Sequence, residues 1–478
     1  MTTPPDPIAA DPKGVPLATA PKAPITPTQP GQPPPELWKV YLRFLVPMIG
    51  ANILQALSGT INNIYLGQML GVSALAAVSA FFPVLFFLIA FMIGLGAGAA
   101  VLIGQAWGAK ERERVKAIAG TTLMVGIYAG VVVAIFGGTL TEPMLRALGT
   151  PADILPGATA YARIMLIAAP VIFVFLLITS MLRGVGDTKT PLKTLLISTA
   201  IGLLVTPALI RGWGGLPQMG VTSGAYAGGL SFLIALGWTV VHLRRSHSPL
   251  APDAEFIRHL RVDRAILLKV LRIGLPTALT MITISLSEVS VLFLVNRYGS
   301  QATAAYGAVN QVISYVQFPA ISIAITASIL GAQAIGAGRV HTLGKIAKTG
   351  IVMNLLLTGS LVLLGYLFSR HIIGLFITDA AVVEVAQTLL HIMLWSCVIM
   401  GMSMVLSGLM RASGTVLWPT LISMACIGLI QIPAAWALSN RFGINGIWAS
   451  YPIAFLTMLC LQTAYYRLVW KKKPIKRL

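Results

Sequence analysis

One acidic side chain in this sequence lies where acids are seldom found. Of 14 Asp and Glu residues, Glu288 alone falls well inside an apolar stretch, nine residues short of Arg297. At 1.5 Å per residue that is about 13 Å from the nearest charged helix end. A carboxylate held charged in hydrocarbon costs on the order of 2.5–3.5 kcal/mol on insertion scales. Such a group is expected to carry a proton unless a cation stands beside it, and a group of that kind can trade a proton for a cation. The bland alternative is a structural glutamate bonded to a neighbouring helix, as polar residues often are in membrane bundles.

Two further sets of polar residues fall in apolar stretches. Gln55, Asn62 and Asn63 lie near Ser58 and Thr60, and Tyr306, Asn310 and Gln317 recur at helical spacing. Each set either lines a substrate cavity or holds helices together through hydrogen bonds. Pro47 and Pro276 each remove a backbone bond and permit a helix to bend. Cys397, Cys426 and Cys460 all fall within apolar segments, so neither a disulfide framework nor a metal site is expected. No loop gathers acids for Mg²⁺ or sets a nucleophile beside a base. An enzyme and a bound cofactor are therefore not expected.

The elements that must position these residues follow from composition. Apolar residues make up 56% of the 478 and charged residues 10%, and mean hydropathy is +0.83. A chain so apolar needs a bilayer as its solvent. Phe44–Ala109, Ala117–Thr141, Ile164–Leu182, Tyr298–Gly338 and Val385–Met410 contain no Asp, Glu, Lys or Arg. A spanning helix takes about 20 apolar residues. Splitting the long gaps at their Gly, Pro and small polar clusters gives twelve spans, near residues 41–66, 78–105, 117–138, 159–182, 193–210, 221–243, 268–296, 304–333, 347–369, 385–410, 417–438 and 444–467.

A net charge of +20 would suit nucleic acid if the basic residues shared one soluble face. They are instead sorted by loop. With both termini in the cytoplasm, 28 Lys and Arg fall on that side and 6 on the other, which is the positive-inside bias. The expected product is a multi-pass protein of the plasma (inner) membrane that binds no nucleic acid. Residues 1–36 read as a Pro-rich, disordered cytosolic tail without a signal peptide. Residues 37–245 form a first lobe and residues 268–470 a second, with a basic cytosolic tail over 471–478. Between the lobes, residues 246–267 form a connector. Phe256, Ile257, Leu260, Ile266, Leu267, Val270 and Leu271 are spaced as in an amphipathic helix at the cytosolic interface.

The lobes are copies. An offset of about 228 residues aligns Pro47 with Pro276, Gln105 with Gln333, Arg183 with Arg411, Gly186 with Gly414 and Pro191 with Pro419. Six spans return a unit to the side on which it began, so the copies are parallel and related by an axis along the membrane normal. A central cavity between them follows. The fold class expected is an all-α membrane protein of twelve transmembrane helices in two parallel six-helix repeats.

Taken together, the sequence resembles the multidrug and toxic compound extrusion (MATE) family over nearly all of its length after residue 37. The repeat carries the resemblance, with Leu45-Val46-Pro47 and Gly274-Leu275-Pro276 early in helices one and seven. So do the turns at Gly71/Ala76-Ala77 and Gly299/Ala304-Ala305, and the paired segments Leu182-Arg183-Gly184-Val185-Gly186-Asp187-Thr188 and Met410-Arg411-Ala412-Ser413-Gly414-Thr415. The resemblance implies an antiporter that expels organic cations or amphipathic compounds by alternating access while H⁺, or less readily Na⁺, flows inward. Many prokaryotic members carry an Asp where this chain has Asn62, and an Asn and an Asp where it has Gly202 and Thr206. Others couple through acids in helices seven and ten. Glu288 falls within about a turn of the first, and the region around Met400 offers no carboxylate for the second.

The partners expected are a small-molecule substrate and the lipid bilayer, with the chain acting as a monomer. A lipid-linked sugar flippase of the same superfamily is the competing reading. It calls for a basic cavity, and only Arg163, near an outer helix end, is a marginal basic residue in the first-lobe spans. A membrane-embedded transferase is a remoter reading, and no channel filter is recognisable.

Overall fold

The computed structural model describes residues 36–478. The tail expected over residues 1–36 therefore lies, but for Glu36, outside the described residues. Hydrocarbon offers no partners to backbone amides, so long apolar segments satisfy themselves as helices. Among the described residues there is no strand.

Ten helices are long and apolar enough to cross a bilayer, and two bent helix pairs bring the number to twelve. The first half contains α1 (Leu37–Met69), α2 (Val72–Gly108), α3 (Arg112–Ala147), α4 (Leu155–Ile167 and Ala169–Gly184), α5 (Lys189–Arg211) and α6 (Gly220–Arg245). The second contains α7 (Arg264–Asn296), α8 (Ser300–Gly336), α9 (Val340–Leu367), α10 (Ala380–Met393 and Ser396–Ala412), α11 (Leu417–Phe442) and α12 (Ile444–Lys472). Eleven of the twelve expected spans lie within one of these, and the ninth, 347–369, runs two residues past the end of α9 at Leu367.

The repeat is visible in the backbone. Gly71 and Gly299 turn the chain between the first two helices of each half at φ +92° and +96°, a region that a side chain disfavours. The fourth helix of each half is broken at the same place, with bends of 53° in α4 and 41° in α10. Pro170, just past the α4 break, lacks the N–H that would continue the ladder. In α10 the Ser396 hydroxyl instead donates to the Met393 carbonyl at 2.5 Å. Through Pro47 and Pro276, by contrast, α1 and α7 run as uninterrupted helices.

The connector differs from the single amphipathic helix expected. Asp253 accepts from the Phe256 N–H and starts a five-residue helix, Ala254–Arg258. Asp263 accepts from the Ala265 and Ile266 N–H groups and starts α7. Two caps thus divide the apolar pattern, and Ile266, Leu267, Val270 and Leu271 belong to the first turns of a spanning helix. The rest is strapped onto α3. Lys116 pairs with Asp253 at 3.1 Å and also with Glu255, Thr121 donates to the Arg261 carbonyl, and Phe256 is buried.

The halves meet at one end only. Among the described residues, every hydrogen bond and every close glycine approach between them lies toward the face that carries Lys110, Arg112 and Arg244, called here the basic face. A Cβ on Gly94 would meet Ala278 at 2.8 Å, and one on Gly98 would strike the Val270 carbonyl. The glycines let α2 and α7 pack backbone to backbone.

Deeper toward that face the contact becomes reciprocal. Gln105 Nε2 donates to the Ala412 carbonyl at 2.8 Å, and Gln333 Nε2 donates to the Gly184 carbonyl at 3.0 Å. The same positions of the two copies give and receive. Likewise, a Cβ on Gly108 would overlap the Gln333 carbonyl, and one on Gly336 the Gln105 carbonyl.

Over this closure lies the carboxy-terminal segment. Trp470 Nε1 donates to Ser413 and Leu478 packs on Gly414. The Leu478 N–H donates to Gln105 Oε1 at 2.9 Å, and Arg477 pairs with Glu111. The segment begins in the second half and ends on the first.

Candidate functional site

Between the halves lies a cavity of about 570 Å³. Its wall comes from one stripe on each of several helices. On α8 the lining positions include Gly307, Asn310, Ser314, Gln317, Ile321, Ala324 and Ser328, with Gln311, Ile313, Ile325 and Ile329 beside them; the spacing of three and four keeps one face of a helix in view. Thr277, Thr280, Ile284 and Glu288 do the same on α7, and Ser396, Met400, Ser403, Ser407 and Arg411 on α10. The first half contributes six residues: Ile93, Ala97, Ala100, Val101, Ser180 and Arg183.

Glu288 is the carboxylate among the lining residues, and it has neither a hydrogen-bond nor an ion-pair partner among the described residues. It stands within electrostatic reach of Tyr306 and Tyr451, whose hydroxyls are 2.9 Å apart. Tyr306 stacks on the buried Trp448, with ring centroids 5.7 Å apart and planes 6° from parallel. An aromatic layer therefore holds Tyr451 at the cavity wall beside the acid. The Ser287 hydroxyl, next to Glu288 in the chain, is buried without a hydrogen-bond partner among the described residues. An acid with no fixed counter-charge can bind and release a proton, or meet a cation brought by a substrate.

The other expected residues divide. Asn310 and Gln317 line the cavity with Glu288, and Tyr306 lies one layer behind the wall. Gln317 Nε2 reaches Met400 Sδ at 3.8 Å, so a thioether occupies the helix-ten region where some relatives are expected to hold an acid. Gln55, Asn62 and Asn63 are not lining residues. Gln55 and Asn63 are exposed on α1, and Asn62 is half-buried, near Gly224 of α6. Pro47 and Pro276 also lie away from the wall. Among the described residues no three His, Cys, Asp or Glu side chains come close enough to hold a metal ion.

Arg183 and Arg411 correct one expectation. Among the first-lobe spans only Arg163 was expected as a marginal basic residue, yet Arg183 lines the cavity, and Arg411 of the second half does so with it. Arg163 does not: its Nε donates to the Gly138 carbonyl, on a shallow pocket toward the opposite face. Both cavity arginines, like Gln105 and Gln333, stood out in the sequence only as marks of the repeat. Their recurrence in the same frame within apolar helices was the available signal for a shared structural place.

Family comparison agrees with the architecture. The MatE family model matches residues 47–208 and 276–437, one match in each half. The chain belongs to the MatE family. This family member is 45% identical to the "Probable multidrug resistance protein YoeA" of Bacillus subtilis, over 93% of its own length and 96% of that protein's. It is 26% identical to the "Probable multidrug resistance protein YpnP" of the same organism, over 90% and 94% of the two chains. Its fold matches a solved structure described as the "Outward-facing conformation of a multidrug resistance MATE family transporter of the MOP superfamily" with a TM-score of 0.82. That match has 22% identity and covers 90% of this chain and 95% of the other. The MATE-family chain is a multi-pass membrane transporter, not an enzyme.

Proposed function

We propose that this transporter exports organic cations and amphipathic compounds across the plasma membrane, driven by inward proton flow through Glu288. The carrying observation is the unpaired carboxylate on the cavity wall, a wall that Tyr451 and the amides of Asn310 and Gln317 also line. The names of its relatives supply the multidrug substrate class.

The positive-inside bias assigns the basic face, and with it both termini, to the cytoplasm. On that assignment the cavity is closed to the cytoplasm by the glutamine contacts and separated from it by the carboxy-terminal segment. The halves diverge toward the outside, as one end state of alternating access requires. A sodium site gathers several oxygen ligands, and Glu288 is the one carboxylate among the residues lining the cavity, which favours the proton. One charge moved through about 100 mV releases about 2.3 kcal/mol. That drives roughly a fiftyfold gradient of an uncharged substrate at 1.4 kcal/mol per decade.

The test is dye export from proteoliposomes carrying an imposed pH gradient. Wild-type protein is expected to export and Glu288→Gln, folded by size-exclusion and circular dichroism, is not. Undiminished pH-driven export by that variant would remove Glu288 from the coupling.

A further inference from the structure

Arg183 and Arg411 occupy the same position in the two halves, in the last turn of α4 and of α10. Each is half-buried and lines the cavity, and neither guanidinium has a hydrogen-bond, ion-pair or aromatic partner among the described residues. The residue after each, Gly184 or Ala412, gives its carbonyl to the reciprocal glutamine contact, so closing the basic face fixes both arginine backbones together. Hydroxyls of Ser180, Ser328, Ser403 and Ser407 line the same end.

Depth separates this pair from the acid. Gly184 packs on the Ala100 carbonyl, and nearby Gly98 packs on Val270 and Gly274, which places Arg183 level with the first part of α7 near Ile273. Glu288 is fifteen residues farther along that helix, about 22 Å at 1.5 Å per residue. The lining residues thus carry two cations at one end and one carboxylate toward the other.

The ordinary account of an arginine near a helix end is compensation of the helix dipole, with the side chain reaching water. Here both side chains meet the cavity from the same depth, at the end where the lobes and the carboxy-terminal segment close over it. A guanidinium in a low-dielectric site calls for an anion, and two that converge from related helices can share one through forked hydrogen bonds.

We propose that Arg183 and Arg411 form a binding site for an anionic group, a carboxylate or a phosphate, at the basic-face end of the cavity. The cavity then takes amphiphiles with an anionic end held by the arginines and a cationic or apolar body extending toward Glu288. This widens the substrate class beyond simple cations and rests on the cavity being the substrate site.

The test uses the full chain in detergent and two xanthene dyes, one with a free carboxylate beside its cationic ring system and the other its methyl ester. Fluorescence anisotropy is expected to give tighter binding of the free carboxylate. Combined Arg183→Gln and Arg411→Gln changes should weaken that dye at least about tenfold, the worth of one charge-assisted hydrogen bond, and leave the ester within twofold. Equal binding of both dyes by wild-type protein, or an unchanged carboxylate dye in the double variant, overturns the site. If the double variant fails to fold, competition on wild-type protein decides: millimolar inorganic phosphate, or phosphatidylglycerol in nanodiscs, must displace the carboxylate dye and spare the ester, and displacement by neither overturns the proposal. Repeating the binding in nanodiscs with and without phosphatidylglycerol separates the sources, since displacement only by that lipid assigns the site to a headgroup rather than a soluble anion. Glu288→Gln should keep the preference for the carboxylate dye, so loss of proton drive and loss of the anion site read out separately.

Discussion

The two halves share a frame and differ in what they place inside it. Their turns at Gly71 and Gly299, their broken fourth helices and their glutamine contacts are repeated. The cavity wall is not: the second half supplies most of it, including Glu288, Asn310, Gln317 and Tyr451. A π-helical stretch, Cys426–Gln431, brings Ile427 and Gln431 to the wall in α11, whereas the π-helical stretch of α3, Val133–Gly137, lies away from it. Duplication has kept the contacts that close the molecule and the arginine pair beside them, while the acid and the amides facing the cavity belong to the second half alone among the lining residues.

The largest expected effect breaks this asymmetry directly. Glu288→Gln should lower pH-driven export at least tenfold in proteoliposomes, whereas Asn62→Ala should leave it within twofold. Equal losses would show that the first half still carries coupling chemistry.

The next change tests the shared frame. Gly108→Leu and Gly336→Leu each drive a side chain into a backbone carbonyl of the opposite half, and overpacking typically costs about 1–3 kcal/mol. Each should shift the population away from closure at the basic face by about five- to 150-fold, read as longer inter-lobe distances by spin-label spectroscopy. A response to only one would make the closure one-sided.

Smaller effects sharpen the comparison. Gln105→Ala and Gln333→Ala each remove one amide donor, worth about 0.5–1.5 kcal/mol. Gln105→Ala should cost more in the same distance measurement, because Gln105 Oε1 also accepts from Leu478 while Gln333 Oε1 has no partner among the described residues.

The smallest is a pH effect outside the membrane. The hydrogen bond from Arg477 holds the Glu111 carboxyl below the usual carboxylate range, against a smaller opposing push from burial, with further help from the charges of Arg477 and Arg114. A lowered value means that the pairing contributes fully above the ordinary carboxylate range and is lost as pH falls through the lowered value. A label on the carboxy-terminal segment should therefore stay immobile at neutral pH and gain mobility only under strong acid. Gain of mobility near neutral pH would assign the docking to another group.

The frame was legible because spanning helices and repeats are written in composition and offset. Glu288 was legible because an acid in an apolar run is conspicuous wherever the helix faces. The arginines were harder to read. Arg183 ends an apolar run in the sequence just as a solvated interfacial residue would, and only the rotation of α4 against α2 sets its side chain at the cavity. Asn62 shows the opposite case, since polarity alone does not say which way a residue of α1 faces, and it lies near Gly224 of α6, within the first half. The α10 break was hidden for a different reason: it has a serine bonded back to Met393 where α4 has a proline.

The glutamine contacts have the form of an interface between identical subunits, in which residue i meets j and j meets i across a twofold axis. Gln105 and Gly184 lie in one half, so a single six-helix unit carries both the donor and the acceptor that a second copy would need. Such a unit could pair with itself through the same two bonds, and the covalent connector would add proximity without dictating how the surfaces meet. The closed face is, in effect, a homodimer interface kept intact inside one chain. That predicts that separately expressed halves, 36–245 and 246–478, would find the same register when made in the same membrane.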